Sequence, residues 1–113
     1  MSNLSEASGC AGVNVGGYCW YYGHSGESCG TVCTNHGGYN EATETYAGVS
    51  GTNAACTEVS DALGVPAASM IDTSCSVGYG CAYFSGFRIR CNDTVTTETA
   101  SRNDISRVCA CNE

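Results

Sequence analysis

Ten cysteines in 113 residues, with no lysine anywhere, constrain this chain more than any other feature. A short chain with that cysteine load reads as a disulfide scaffold from an oxidising compartment. Leu, Ile, Val and Phe supply only 16 of the 113 residues, and the formal net charge is −7. Without cross-links such a composition predicts disorder. Cross-links change that expectation by restricting the unfolded chain. Each bridge contributes about 2–4 kcal/mol, so five rival the ~5–15 kcal/mol net stability of an ordinary domain. The chain is therefore expected to fold as one domain over 1–113, with residues 1–9 flexible.

Charge excludes several partners. Four arginines against eleven acids carry the wrong sign for nucleic acid or for an anionic membrane surface. No apolar run approaches the ~20 residues of a membrane span, so membrane insertion is not expected. Met1–Gly9 is too polar for a signal peptide, which points to a mature fragment or an excised module with Met1 as initiator. Asn3-Leu4-Ser5 and Asn92-Asp93-Thr94 are glycosylation triplets, meaningful only in a eukaryotic secretory host.

Two helices carry start and stop signals. The first is expected near Gly26–His36, capped by Ser25 and ended by Gly37-Gly38. The second is expected near Asn53–Leu63, capped by Thr52 and ended by Gly64 and Pro66. Strands are expected at Tyr18–Tyr22, Thr43–Ala47, Cys81–Phe84, Phe87–Cys91 and Arg107–Cys111, with Ser85-Gly86 as a tight hairpin turn. The fold class is small α+β: two short helices on an antiparallel sheet. Val15–Tyr22 and Val77–Phe84 share a pattern at an offset of 62, which two duplicated hairpins or chance would produce.

Cys10, Cys19, Cys29, Cys33, Cys56, Cys75, Cys81, Cys91, Cys109 and Cys111 are all expected in disulfides. Cys29 and Cys33 lie one helical turn apart, and Cys109 and Cys111 lie two strand residues apart on one face. Those repeats, ~5.4 Å and ~6.5 Å, match closely enough for a parallel double bridge, Cys29–Cys109 and Cys33–Cys111. The remaining pairings, drawn from about 945 for ten cysteines, stay open. This double bridge resembles the cystine-stabilised αβ motif of defensins, scorpion toxins and sweet-tasting plant proteins. No C-x2-C pair occurs, which argues against zinc and against thioredoxin-type chemistry. Neither metal nor cofactor is expected.

No catalytic constellation stands out. Cys33-x-x-His36 resembles the helix of secreted phospholipase A2, but Gly37 occupies the place of the needed aspartate. His36 is then a helix-end histidine. Tyr18, Trp20 and Tyr22 alternate along one strand face, with Tyr21 on the other. Exposed, they form a stacking or docking platform; buried, they form core. Trp20 is favoured as core, and all four are the candidate binding residues.

The arrangement Cys19-Trp20-Tyr21, Ser28-Cys29-x3-Cys33, Gly37-Gly38 and Arg107-Val108-Cys109-Ala110-Cys111 is similar to cysteine-rich modules of large microbial surface proteins. That resemblance implies a non-enzymatic extracellular module, secreted or surface-exposed. Its role would be adhesion, recognition or filament assembly, with a protein, a glycan or further copies of itself as partner. A secreted effector of toxin, defence or inhibitor type is the rival, and a lectin the third class.

Overall fold

The computed structural model describes residues 10–67 and 69–113. The expectation for residues 1–9, and the triplet at Asn3, lie outside them. Nine elements follow in order. They are strands β1 (Val13–Val15) and β2 (Tyr18–Tyr22), helices α1 (Cys29–Cys33), α2 (Ala42–Thr45) and α3 (Asn53–Leu63), and strands β3 (Met70–Thr73), β4 (Cys81–Phe84), β5 (Phe87–Cys91) and β6 (Ile105–Cys111).

The strands form one sheet in the order β1-β2-β6-β4-β5-β3. Strand β6 is its spine. Val108–Cys111 pair with β2 on one side, and Ile105–Arg107 pair with β4 on the other. All seven of its residues are buried. The sheet is mixed rather than antiparallel, because β3 runs parallel to β5, with Thr73 opposite Cys91. The Cys75–Cys91 bridge closes that end of the parallel pair.

Register assigns the two faces. Trp20, Cys81, Val108 and Ala110 point to one side, where Cys56 and Val59 of α3 cover them. Trp20 is fully enclosed, and its indole N–H donates to the Val15 carbonyl at 3.0 Å. On the opposite side Cys109 and Cys111 meet α1, and Ala82, Ile89 and Ile105 form a separate apolar cluster with Tyr79 and Ala100.

All ten cysteines are bridged. Cys29 joins Cys109 and Cys33 joins Cys111, the double bridge expected from the helix and strand repeats. The others are Cys10–Cys19, Cys56–Cys81 and Cys75–Cys91. Cys56–Cys81 fastens α3 to the sheet from above as the double bridge fastens α1 from below.

Helix α3 has the expected bounds, with the Thr52 hydroxyl accepting from Ala55 N and Gly64 as left-handed cap. Helix α1 starts later than expected and is capped by Ser28 instead of Ser25. Residues 23–26 run alongside β6, with Gly23 N and Gly26 N donating to Arg107 O and Ile105 O. A turn at Ser25-Gly26, where Glu27 N donates to His24 O at 3.1 Å and Gly26 has φ 92°, takes the place of the expected first helical turn.

The strand expected at Thr43–Ala47 is instead a helical turn, α2. Strand β4 stops short of Ala110, leaving that part of the spine without a partner strand on the edge away from β2. The Thr43 hydroxyl accepts from Ala110 N at 2.8 Å, and Asn40 N donates to Ala110 O at 3.0 Å. One side chain and one loop amide thus supply the bonds a strand would have made, and the backbone is free to coil. The three helices therefore outnumber the two expected.

The Ser85-Gly86 turn forms as expected, with positive φ at both residues (50° and 87°), the requirement of a two-residue hairpin loop. The apparent repeat does not reflect duplicated hairpins. Tyr18–Tyr22 closes its hairpin, whereas Cys81–Phe84 opens one.

Candidate functional site

The aromatic strand is not a platform. Trp20 is core, which removes it from the candidate binding residues. Tyr18 is about a third exposed at the sheet margin, with its ring 5.9 Å from Tyr46. Tyr22 is half-buried beside the α3-side core. Tyr21 points to the other face and stacks on His36, centroids 4.0 Å apart. The four residues expected to act together are divided between core, margin and opposite faces.

Tyr21 and His36 belong to a second polar cluster. Glu113 accepts from the Tyr21 hydroxyl, and its second oxygen lies 3.2 Å from His36 Nδ1. Desolvation, followed by the bond to Glu113, pushes the Tyr21 hydroxyl up to about 12. The same bonds, from Tyr21 and then His36, hold Glu113 below the usual carboxylate range. Cys10 and Cys19 lie close to Glu113, but their sulfurs are joined to each other and cannot bind metal. No hydroxyl bonds to the His36 ring among the described residues, so the cluster offers no activated nucleophile.

Two acids elsewhere, Asp72 and Asp93, are similarly occupied. Asp72 accepts from Asn92, Arg90 and Asn53, which lower its pKa, the Asn92 bond most. Asp93 accepts from the Ser74 hydroxyl and from Cys75 N, with the same effect. Three of the four arginines serve the interior. Arg88 and Arg90 lie under α3, and Arg107 is fully buried on the opposite face. Arg107 donates to the Tyr79 and Ala100 carbonyls at 2.9 and 2.8 Å, while its Nη2 has no acceptor among the described residues. Burial pulls its pKa down to about 10.

One concave surface has nothing packed into it. On the α1 side of the sheet, beyond α1 itself, an open groove of about 310 Å³ runs over β3, β5 and the start of β6. Ile71, Phe84, Phe87, Ile89 and Ile105 line it, with Tyr79 and Cys75 along one wall. The register places these residues together, since Phe84 faces Phe87 and Ile105, and Ile71 faces Ile89. Phe87 and Ile71 are 48% and 38% exposed, high values for large apolar side chains beside a core. Arg102 stands at the rim, 5.5 Å from the Phe84 ring and 2.9 Å from Asp104.

Sequence reasoning missed this groove because its residues come from four separated stretches, and the strand carrying Ile71 was not expected. The one local signal was Phe84 and Phe87 flanking the polar Ser85-Gly86 turn. A hairpin tip with a phenylalanine on each arm presents both to one face. Among the described residues no helix is long and apolar enough to cross a membrane. Comparison with protein-family models, with curated proteins and with solved structures yields no match.

Proposed function

We propose that this chain is a non-enzymatic extracellular recognition module, serving adhesion or assembly at a surface, that grips a protein partner through the Phe84–Phe87 groove. The groove is the observation that carries the reading. It combines concavity with large exposed apolar side chains on a rigid sheet, a combination monomeric domains rarely keep unless something binds there. The five bridges support the extracellular setting, since such bonds persist where the surroundings are oxidising. The His36–Glu113 pair without a nucleophile, with Asp72 and Asp93 tied up in hydrogen bonds, favours binding over catalysis. A glycan fits less well, because sugar hydroxyls need more polar partners than this lining provides.

The test is a titration of isotope-labelled protein with N-acetyl-phenylalaninamide. Amide shifts confined to 71–75, 84–89 and 102–105 are expected. No saturable shift in those segments would overturn the reading. The rival, a secreted effector of toxin, defence or inhibitor type, draws on the double bridge of α1 to β6. Protease-inhibition and growth assays separate it from an adhesin.

A further inference from the structure

We infer that the groove receives one bulky apolar side chain carried on a cationic peptide segment of the partner. This inference rests on the recognition reading above and supplies the partner's chemistry. Its first support is the distribution of fixed charge. The chain has four arginines and no lysine. Arg88, Arg90 and Arg107 are buried, and Arg102, the exposed one, is neutralised by Asp104. No lysine or arginine is therefore left to face a partner unpaired, while the net charge is −7. A surface with that field draws cations in and repels anions.

The second support is where the acids stand. Asp93 is anchored to Ser74 and Cys75, which form one wall of the groove. Asp104 adjoins Ile105 and offsets Arg102, which lines the rim. Arg102 is the one charged side chain among the groove's lining residues and Asp104 offsets it, which leaves Asp93 and the net charge of −7 to steer the segment that burial then holds. At about 310 Å³ the groove lies at the lower end of the ~300–1,000 Å³ of small-molecule sites. That volume suits a single anchor residue, the usual centre of a protein contact. A fatty carboxylate would enter against the field, and a second copy of this chain would bring another seven negative charges.

The probe is a capped pentapeptide with phenylalanine between two pairs of arginines. Its controls carry glutamates for the arginines, or serine for the phenylalanine. Shifts in labelled protein should localise to Ile71, Phe84, Phe87, Ile89 and Ile105. At low ionic strength the arginine peptide should bind at least about tenfold tighter than the glutamate peptide, with the gap narrowing as salt rises. Phe87→Ser should weaken the arginine peptide about tenfold, and Ile71→Ser, at a second exposed position, should do the same.

Equal binding of the glutamate peptide would overturn the cationic assignment while leaving the recognition reading intact. Shifts scattered over the acids, unchanged by serine in the peptide, would overturn the anchor. Concentration-dependent dimerisation through the groove, seen by light scattering, would replace the peptide with a second copy. Silence in the groove towards every peptide and towards N-acetyl-phenylalaninamide would end both readings.

Discussion

Arg88 and Arg90, two residues apart on β5, hold opposite ends of α3. Arg88 donates to Asp61 at 2.6 Å and to the Val65 and Pro66 carbonyls just past the helix. Arg90 donates to Asn53, the first helical residue, at 2.6 Å, and to the Gly48 and Val49 carbonyls before it. The strand repeat of ~6.5 Å is shorter than the helix, so the two side chains must splay to reach its ends.

Replacing either arginine strands buried carbonyls. Arg88→Met and Arg90→Met are each expected to cost about 2–4 kcal/mol in denaturant melts of the oxidised protein. The double variant should cost less than the sum, because both act on one helix.

The double bridge predicts non-additive losses. Cys29–Cys109 and Cys33–Cys111 span 80 and 78 residues and close almost the same loop. With either present, the other closes only a small ring. Alanine at both members of one pair should therefore cost about 2 kcal/mol. Alanine at all four positions should cost about 7 kcal/mol, read from urea melts. Two independent loops of this length would instead cost about 4–5 kcal/mol each.

Alkaline titration sets two groups against each other. Burial pulls the Arg107 guanidinium from its ordinary value down to about 10, so the penalty for burying its charge is fully present below pH 10 and fades above it. The Tyr21 hydroxyl is raised from 10.0 to about 12, so its contribution is fully present below pH 10 and is lost as pH approaches 12. In Tyr21→Phe only the arginine effect of this pair remains. Its stability should rise relative to the parent chain between pH 10 and 12, measured by rapid denaturant jumps.

At the acid end Glu113, Asp72 and Asp93 all have lowered pKa values. Their stabilising bonds are complete above the ordinary values of 4.5 and 3.8 and are lost as pH falls through the lower folded ones. The melting temperature should fall below about pH 4.5. Glu113→Gln should remove the earliest part of that decline, because it removes the carboxylate whose ordinary pKa is highest.

Much of the fold was legible wherever local chemistry decided it. Thr52, Gly64 and Pro66 bracket α3 because caps and proline act on their immediate neighbours. The spacing of Cys29, Cys33, Cys109 and Cys111 yields the double bridge because two regular repeats must match. The turn at Ala42–Thr45 was not legible, since it follows from β4 ending before Ala110. Strand β3 was missed for a similar reason. Met70–Thr73 is short and gains its partner from β5, across the whole of β4. The candidate site suffered most. Tyr18, Trp20, Tyr21 and Tyr22 draw attention by adjacency in sequence, whereas Ile71, Phe87 and Ile105 come together only through the register of four strands.

The spine of the sheet is also its last strand in chain order, and this ordering bears on how the protein is made. In the oxidising compartment that the proposed extracellular role implies, Cys29 and Cys33 would emerge long before Cys109 and Cys111 exist to receive them. Cys10–Cys19 and Cys75–Cys91, separated by 9 and 16 residues, can close as soon as they emerge. The waiting thiols are then open to every later cysteine that passes. Yield should depend on an isomerase that reshuffles wrong bonds after release of the chain, more than on the strength of the oxidant. Expression hosts that oxidise quickly but isomerise poorly should return scrambled protein.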